Sequence, residues 1–194
     1  DADGDLDVVV GNQGVGIDDP GKLTILMNDG GGHLSAIAPV SGVIAPASLA
    51  FGDLNGDGKL DVVVASIHQG FTQSEADNTK RLICAAQNPY VHILAHPTGR
   101  LINEREPYQV DMERIMKAAR EHGRFLEVNA HPDRLDLSDV NVRKAVEAGA
   151  HISIDTDAHS LFELGFMEYG VHNARRGWAP KESVLNALTY EGLL

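Results

Sequence analysis

The run DGDLDVVVGN at Asp3–Asn12 returns as DGKLDVVVAS at Asp57–Ser66, a spacing of 54 residues. No other feature constrains the fold of the first third of the chain so strongly. Self-similarity at a period near 50 residues belongs to repeat architectures such as propellers, whose units are small antiparallel sheets that bury their faces on neighbours. Between the two copies lie KLTILMNDGGGHLSAI and PASLAFGDL, short β-prone runs separated by glycine-rich turns.

The second copy opens on Asp53-Leu-Asn55-Gly-Asp57-Gly-Lys-Leu-Asp61, which sets hard oxygen donors at positions 1, 3, 5 and 9 of a tight loop. Such donors alternating along a turn, with glycine supplying positive φ, form the pattern of a Ca²⁺ loop. It is not an EF-hand: position 12 is Val64, and the residues after the loop read as strand. In the first copy Asp1, Asp3 and Asp7 align on Asn55, Asp57 and Asp61, and Asp5 replaces Lys59. The chain opens in mid-pattern, so a truncated N-terminus is expected. FGDLNGDGKLDVVVAS resembles the FG-GAP/VCBS repeats of integrin-like β-propellers over roughly residues 1–66. The bland alternative is an Asp/Gly-rich surface turn that binds nothing.

Charge divides the chain at the same place. Residues 1–61 hold ten Asp, no Glu and two Lys, a net of −8; residues 62–194 hold eighteen acids and fourteen bases, a net of −4; together they give −12. The step suggests two joined units, 1–61 and 62–194. An acidic chain of 194 residues can bury a real core and is a poor nonspecific binder of nucleic acid, although a local positive cleft is compatible with it. No apolar run approaches the ~20 residues of a bilayer span, and Cys84, the only cysteine, can form no internal disulfide.

From Leu60 the pattern becomes βα. LDVVVAS, VHILAH (91–96), FLEVNA (125–130) and HISIDTDA (151–158) are short apolar runs suited to a parallel sheet. Helices are predicted between them: SEADNTKRLICAAQ behind a Ser74 N-cap, VDMERIMKAAREHG ending on Gly123, and LSDVNVRKAVEAG running from Ser138 to Gly149. A series of this kind is α/β, as a barrel, a half-barrel or a doubly wound sheet. His68, His96, Asp157 and His159 follow predicted strands, and in a parallel barrel all C-terminal strand ends face one rim. Three imidazoles and a carboxylate there are ligands for Zn²⁺, Mn²⁺ or Fe.

HPTGR (96–100), EPYQVDMERI, LEVNAHPDRLDLSDV, IDTDAHS and ARRGW then resemble, in order and spacing, the C-terminal half of a PHP domain (polymerase and histidinol phosphatase family) over about residues 60–194. The best match is the PHP domain attached to bacterial family X DNA polymerases. The resemblance implies a distorted (β/α) barrel with a trinuclear metal centre and phosphoester hydrolysis, as a 3′–5′ exonuclease or 3′-phosphatase on DNA 3′ ends. It places metal ligands on His68, His96, Asp157 and His159, and it implies a cytoplasmic setting. Catalytic residues beyond these ligands are left unassigned. Arg100 and Arg134 are candidate phosphate-facing cations, with ordinary salt bridges as the alternative. Arg175-Arg176 beside Trp178 reads as a solvated loop rather than a nucleic-acid contact. His92, His131, His151 and His172 read as core or surface residues.

The family's first half, with its His-x-His pair, is missing, and no His-x-His occurs in the 194 residues. The expected architecture is therefore a partial PHP-type barrel preceded by a propeller-blade-like β repeat, a chimera joined on the shared LDVVVAS strand. Open sheet edges would expose it to self-association. Three readings stand: a phosphoesterase fragment of weak or absent activity, a noncatalytic Ca²⁺-binding interaction module, and a chimera that binds metal without turnover.

Overall fold

The computed structural model describes residues 8–12, 22–28, 34–36, 48–52, 62–89 and 91–188. The chain forms two compact units, Asp1–Gln69 and Gly70–Leu194. In the first unit β1 (Val8–Asn12), β2 (Lys22–Asn28) and β3 (Leu34–Ala36) form an antiparallel sheet, with Val8 opposite Leu26 and Met27 opposite Ser35. β4 (Ser48–Gly52) and β5 (Val62–Ser66) pair antiparallel, Ala50 opposite Val64. The two LDVVV runs thus supply β1 and β5, and Asp53, Asn55, Asp57 and Asp61 lie outside the described residues.

The second unit is mixed α/β. It runs α1 (Glu75–Gln87), β6 (Ile93–Leu94), α2 (Met112–Glu121), β7 (Phe125–Asn129), α3 (Asp139–Glu147), β8 (His151–Asp155), a 3₁₀ turn over Phe162–Phe166, and α4 (Met167–Arg176). β6, β7 and β8 are parallel, with Leu94 beside Leu126 and Val128 beside Ile154. α1, α2 and α3 start where a side chain satisfies an orphan amide, and α4 has no such cap. Ser74 accepts from Asp77 N, Asp111 from Arg114 N and Ser138 from Asn141 N. α2 and α3 give way to their strands through Gly123 (φ 65°) and Gly149 (φ 74°), a conformation costly to any residue with a Cβ.

The core follows from strand alternation. Leu126 and Val128 of β7 and Ile152 of β8 are fully buried, and Ile154 is 7% exposed. Ile115, Met116 and Ala119 of α2 and Val142 and Ala145 of α3 add to the buried apolar set. The alternate positions, Glu127, Asn129, Ser153 and Asp155, fall on the opposite face, so one face of the sheet is apolar and the other polar. α4 lies against β7 and β8. A Cβ at Gly170 would come within 2.6 Å of Ala130 Cβ and 2.7 Å of Ile154 Cγ2, so this close approach requires glycine.

Two sequence expectations are revised. The VHILAH strand shortens to Ile93–Leu94, and Arg175-Arg176 end a helix rather than sit in a loop.

Candidate functional site

The polar face of the parallel strands ends in a cluster of acids, and a histidine-bearing loop follows β6 and another follows β8. In-register pairing sets Asn129 beside Asp155 and Glu127 beside Ser153. His96 follows β6, and Asp157 and His159 follow β8. His96 is 3% exposed at φ 29°, and Asp157 holds φ 50°. Non-glycine residues in this region cost on the order of 1–3 kcal/mol and concentrate at functional sites.

Glu127 is 3% exposed, and its Oε2 accepts the His96 backbone N–H at 2.5 Å. Burial pushes its carboxyl well above the usual range, and the neighbouring Asp155, to which it is hydrogen-bonded, adds to this; the His96 N–H opposes it. Burial also raises Asp155, to about 6. Two carboxyls in contact in a dry site cannot both ionise cheaply, so the pair retains a proton near neutral pH.

Asp157 Oδ2 accepts from Asn129 Nδ2 at 3.1 Å and lies 3.6 Å from Arg134 Nε. Asn129 Oδ1 in turn accepts His131 N at 3.0 Å, which locks the start of the 131–136 loop to the strand end. His159 Nδ1 lies 2.6 Å from the Asp157 carbonyl. A carbonyl only accepts, so Nδ1 is the donor in this contact. Glu163 Oε2 accepts the His159 backbone N–H at 2.6 Å, and this bond draws the Glu163 carboxyl down.

The two candidate phosphate-facing arginines differ. Arg100 Nε donates to the Arg134 carbonyl at 2.6 Å and its Nη2 to the Leu135 carbonyl, so it clamps the 131–136 loop. Arg134 Nη1 is buried with no hydrogen-bond partner among the described residues. A buried guanidinium nitrogen of that kind suits an anionic oxygen. Beneath the loop, fully buried Asp136 accepts Thr98 N at 3.0 Å, and burial raises its carboxyl to about 6.

The second unit therefore brings His96, Asp157 and His159 to one end of the sheet. His68 follows β5 in the first unit, where it is exposed. Among the described residues no three His, Cys, Asp or Glu side chains form a group that could hold a metal ion. Asp157 is already engaged by an amide and a guanidinium, and Glu127 by a backbone amide. As placed, these donors among the described residues do not fit a metal. Sequence reasoning missed Glu127, Asn129, Asp136 and Asp155. An acid inside an otherwise apolar strand, as in FLEVN and HISID, was the available signal, because such residues are rarely buried without a partner.

The DNA polymerase/3′-5′ exonuclease PolX of Bacillus subtilis is 46% identical over 129 residues, 66% of this chain and 23% of that protein. Two-thirds of the chain has such relatives. The probable phosphatase TTE1963 of Caldanaerobacter subterraneus is 34% identical over 137 residues, 66% of this chain and 52% of the relative. The probable phosphatase YcdX of Escherichia coli is 24% identical over 165 residues, 79% of this chain and 65% of the relative. The similarity to PolX and the phosphatases covers the C-terminal two-thirds. The chain thus spans under a quarter of the polymerase and about half to two-thirds of these phosphatases. Residues 1–64 match the model of an FG-GAP-like repeat.

Proposed function

We propose that the second unit is part of a metal-dependent phosphoesterase of the PHP type, a partial (β/α) barrel directed at 3′ phosphoesters of DNA, with weak turnover in this chain. The observation that carries the reading is Arg134 at the strand ends, with Nε 3.6 Å from Asp157 Oδ2 and a buried Nη1 that has no hydrogen-bond partner among the described residues. It lies in the part of the chain similar to an exonuclease and to phosphatases. In this reading Arg134 binds a phosphate oxygen, Asn129 orients Asp157, and Glu127 fixes the His96 backbone. Turnover is weak because the described residues do not assemble three ligands and the chain contains no His-x-His pair.

Metal content after purification in metal-replete buffer tests this, comparing the parent with a His96→Ala/Asp157→Ala double variant, alongside hydrolysis of 3′-labelled DNA. Retention of Zn or Mn by the parent and its loss in the variant supports the reading. Equal metal content, or hydrolysis untouched by the double substitution, overturns it.

The FG-GAP-like match at residues 1–64 favours a second role for the first unit, as a noncatalytic Ca²⁺-binding interaction module through Asp53, Asn55, Asp57 and Asp61.

A further inference from the structure

A groove of about 340 Å³ runs along α4 and is lined by Arg100, Leu135, Asp139, Tyr169, His172, Asn173 and Arg176. Tyr169, His172 and Arg176 are spaced three and four residues apart, which places them on one stripe of the helix. Arg100 and Arg176 bring two fixed cations and His172 a third group that can charge, against one carboxylate, Asp139, which Arg176 Nη2 meets at 2.9 Å. In a chain of net charge −12 this is a local reversal of sign.

Exposed aromatic rings occur on the stripe and just past the end of its helix. Tyr169 is 42% exposed at one end and Trp178, just past the helix, is 71% exposed. The Arg143 guanidinium lies 4.3 Å from the Trp178 ring centroid. Cations flanked by exposed flat rings are what an unpaired polynucleotide recognises, with phosphates on the cations and bases on the rings. An acidic peptide would satisfy the cations and leave the rings unused. A duplex keeps its bases stacked and would do the same.

The groove also adjoins the strand-end cluster. The 131–136 loop faces the cluster through Arg134, against Asp157, and faces the groove through Leu135. Arg100 both lines the groove and holds that loop by its carbonyls. We propose that this groove is a single-strand nucleic-acid track, holding the nucleotides that flank a phosphoester presented to the strand ends. The inference rests on the phosphoesterase reading for the identity of the strand, but the binding itself requires neither metal nor turnover.

The test is fluorescence anisotropy of a labelled single-stranded oligothymidylate of roughly 12 nucleotides, titrated with the full chain in EDTA, while emission of Trp178, the only tryptophan, is followed. Expected are saturable binding that weakens with salt, quenching of Trp178, and about a tenfold loss of affinity in Tyr169→Ala/Arg176→Ala. Lys117→Ala, on α2, serves as the control and should bind as the parent does. Trp178→Ala gives a second, independent loss in case the double variant unfolds, which thermal melting reports. Absence of binding, binding unchanged in the groove variants, or equal binding of polyglutamate overturns the track. Binding that persists while the metal and hydrolysis experiments fail supports the track and removes only the phosphoesterase reading; the reverse removes only the track.

Discussion

Three non-glycine residues around the strand ends, His96, Leu135 and Asp157, hold positive φ, and each is fixed by a hydrogen bond, two of them from β7. His96 is tied through its amide to Glu127, Leu135 through its carbonyl to Arg100, and Asp157 through its carboxylate to Asn129. Glu127 is informative because burial favours its neutral form. Glu127→Gln keeps an acceptor for the His96 amide and should change unfolding free energy by less than about 1 kcal/mol. Glu127→Ala orphans that amide and opens a cavity, at a cost of about 2–4 kcal/mol. Urea unfolding distinguishes them, and equal effects would show that the hydrogen bond contributes nothing. Asp136 supplies a pH signature. Its folded carboxyl is raised to about 6, against an ordinary value of 3.8, chiefly by burial. The folded state therefore binds the proton more tightly, so stability from this group is complete below about pH 4 and is lost as pH rises through about 6. The second unit should be more stable at pH 5 than at pH 7, by on the order of 1–2 kcal/mol. Asp136→Asn should flatten that slope in denaturant melts at the two pH values. A slope unchanged in the variant would remove Asp136 as its source.

At the scale of elements, the helices whose ends carry side-chain signals were legible, and the one without them was not. Ser74 and Ser138 cap α1 and α3 where the sequence places them, and Gly123 and Gly149 follow α2 and α3 as expected. Ser138→Ala should cost about 1 kcal/mol, read as a shift in denaturation midpoint with unchanged slope. α4 was invisible because its inward face is built from Gly170, Asn173 and Ala174, while its large apolar residues, Met167, Tyr169 and Val171, are exposed. No apolar stripe at helical spacing exists to be read, and two glycines in LFELGFMEYG argue locally against a helix. The close approach of small residues is what holds α4 to the sheet. Gly170→Ala should therefore cost about 1–3 kcal/mol, where an exposed helical glycine would gain stability from the same change. Stabilisation by this variant in thermal unfolding would mean that α4 does not pack as observed. The strand-end cluster was half legible for a related reason. Histidines just after predicted strands are visible in a sequence, whereas Glu127 and Asp155 gain their character from burial against each other, which depends on the register of β7 and β8.

For the whole molecule, the question is whether the two units share one stability. The first is a small antiparallel β unit in a segment with ten Asp and two Lys over residues 1–61, and the second is an α/β unit with a buried core of its own. A ~60-residue β unit buries a smaller fraction of its surface than a larger domain and is marginal alone, and repeat units normally gain stability from neighbours. A cation bound among Asp53, Asn55, Asp57 and Asp61 would relieve mutual repulsion of the carboxylates in the first unit and leave the second untouched. At calcium a hundredfold above its dissociation constant, linkage gives about 2.7 kcal/mol to the unit that binds it. Calorimetry of the full chain should then show two transitions, with calcium raising the one assigned to the first unit. Leu126→Ala, which empties a fully buried site in β7, should lower only the other, by about 2–5 kcal/mol. If the units are independent, calcium and Leu126→Ala applied together shift each transition as they do separately. A single transition that responds to both would mean that the units fold as one cooperative body, and that the change of pattern near Leu60 marks a step in composition rather than a boundary in stability.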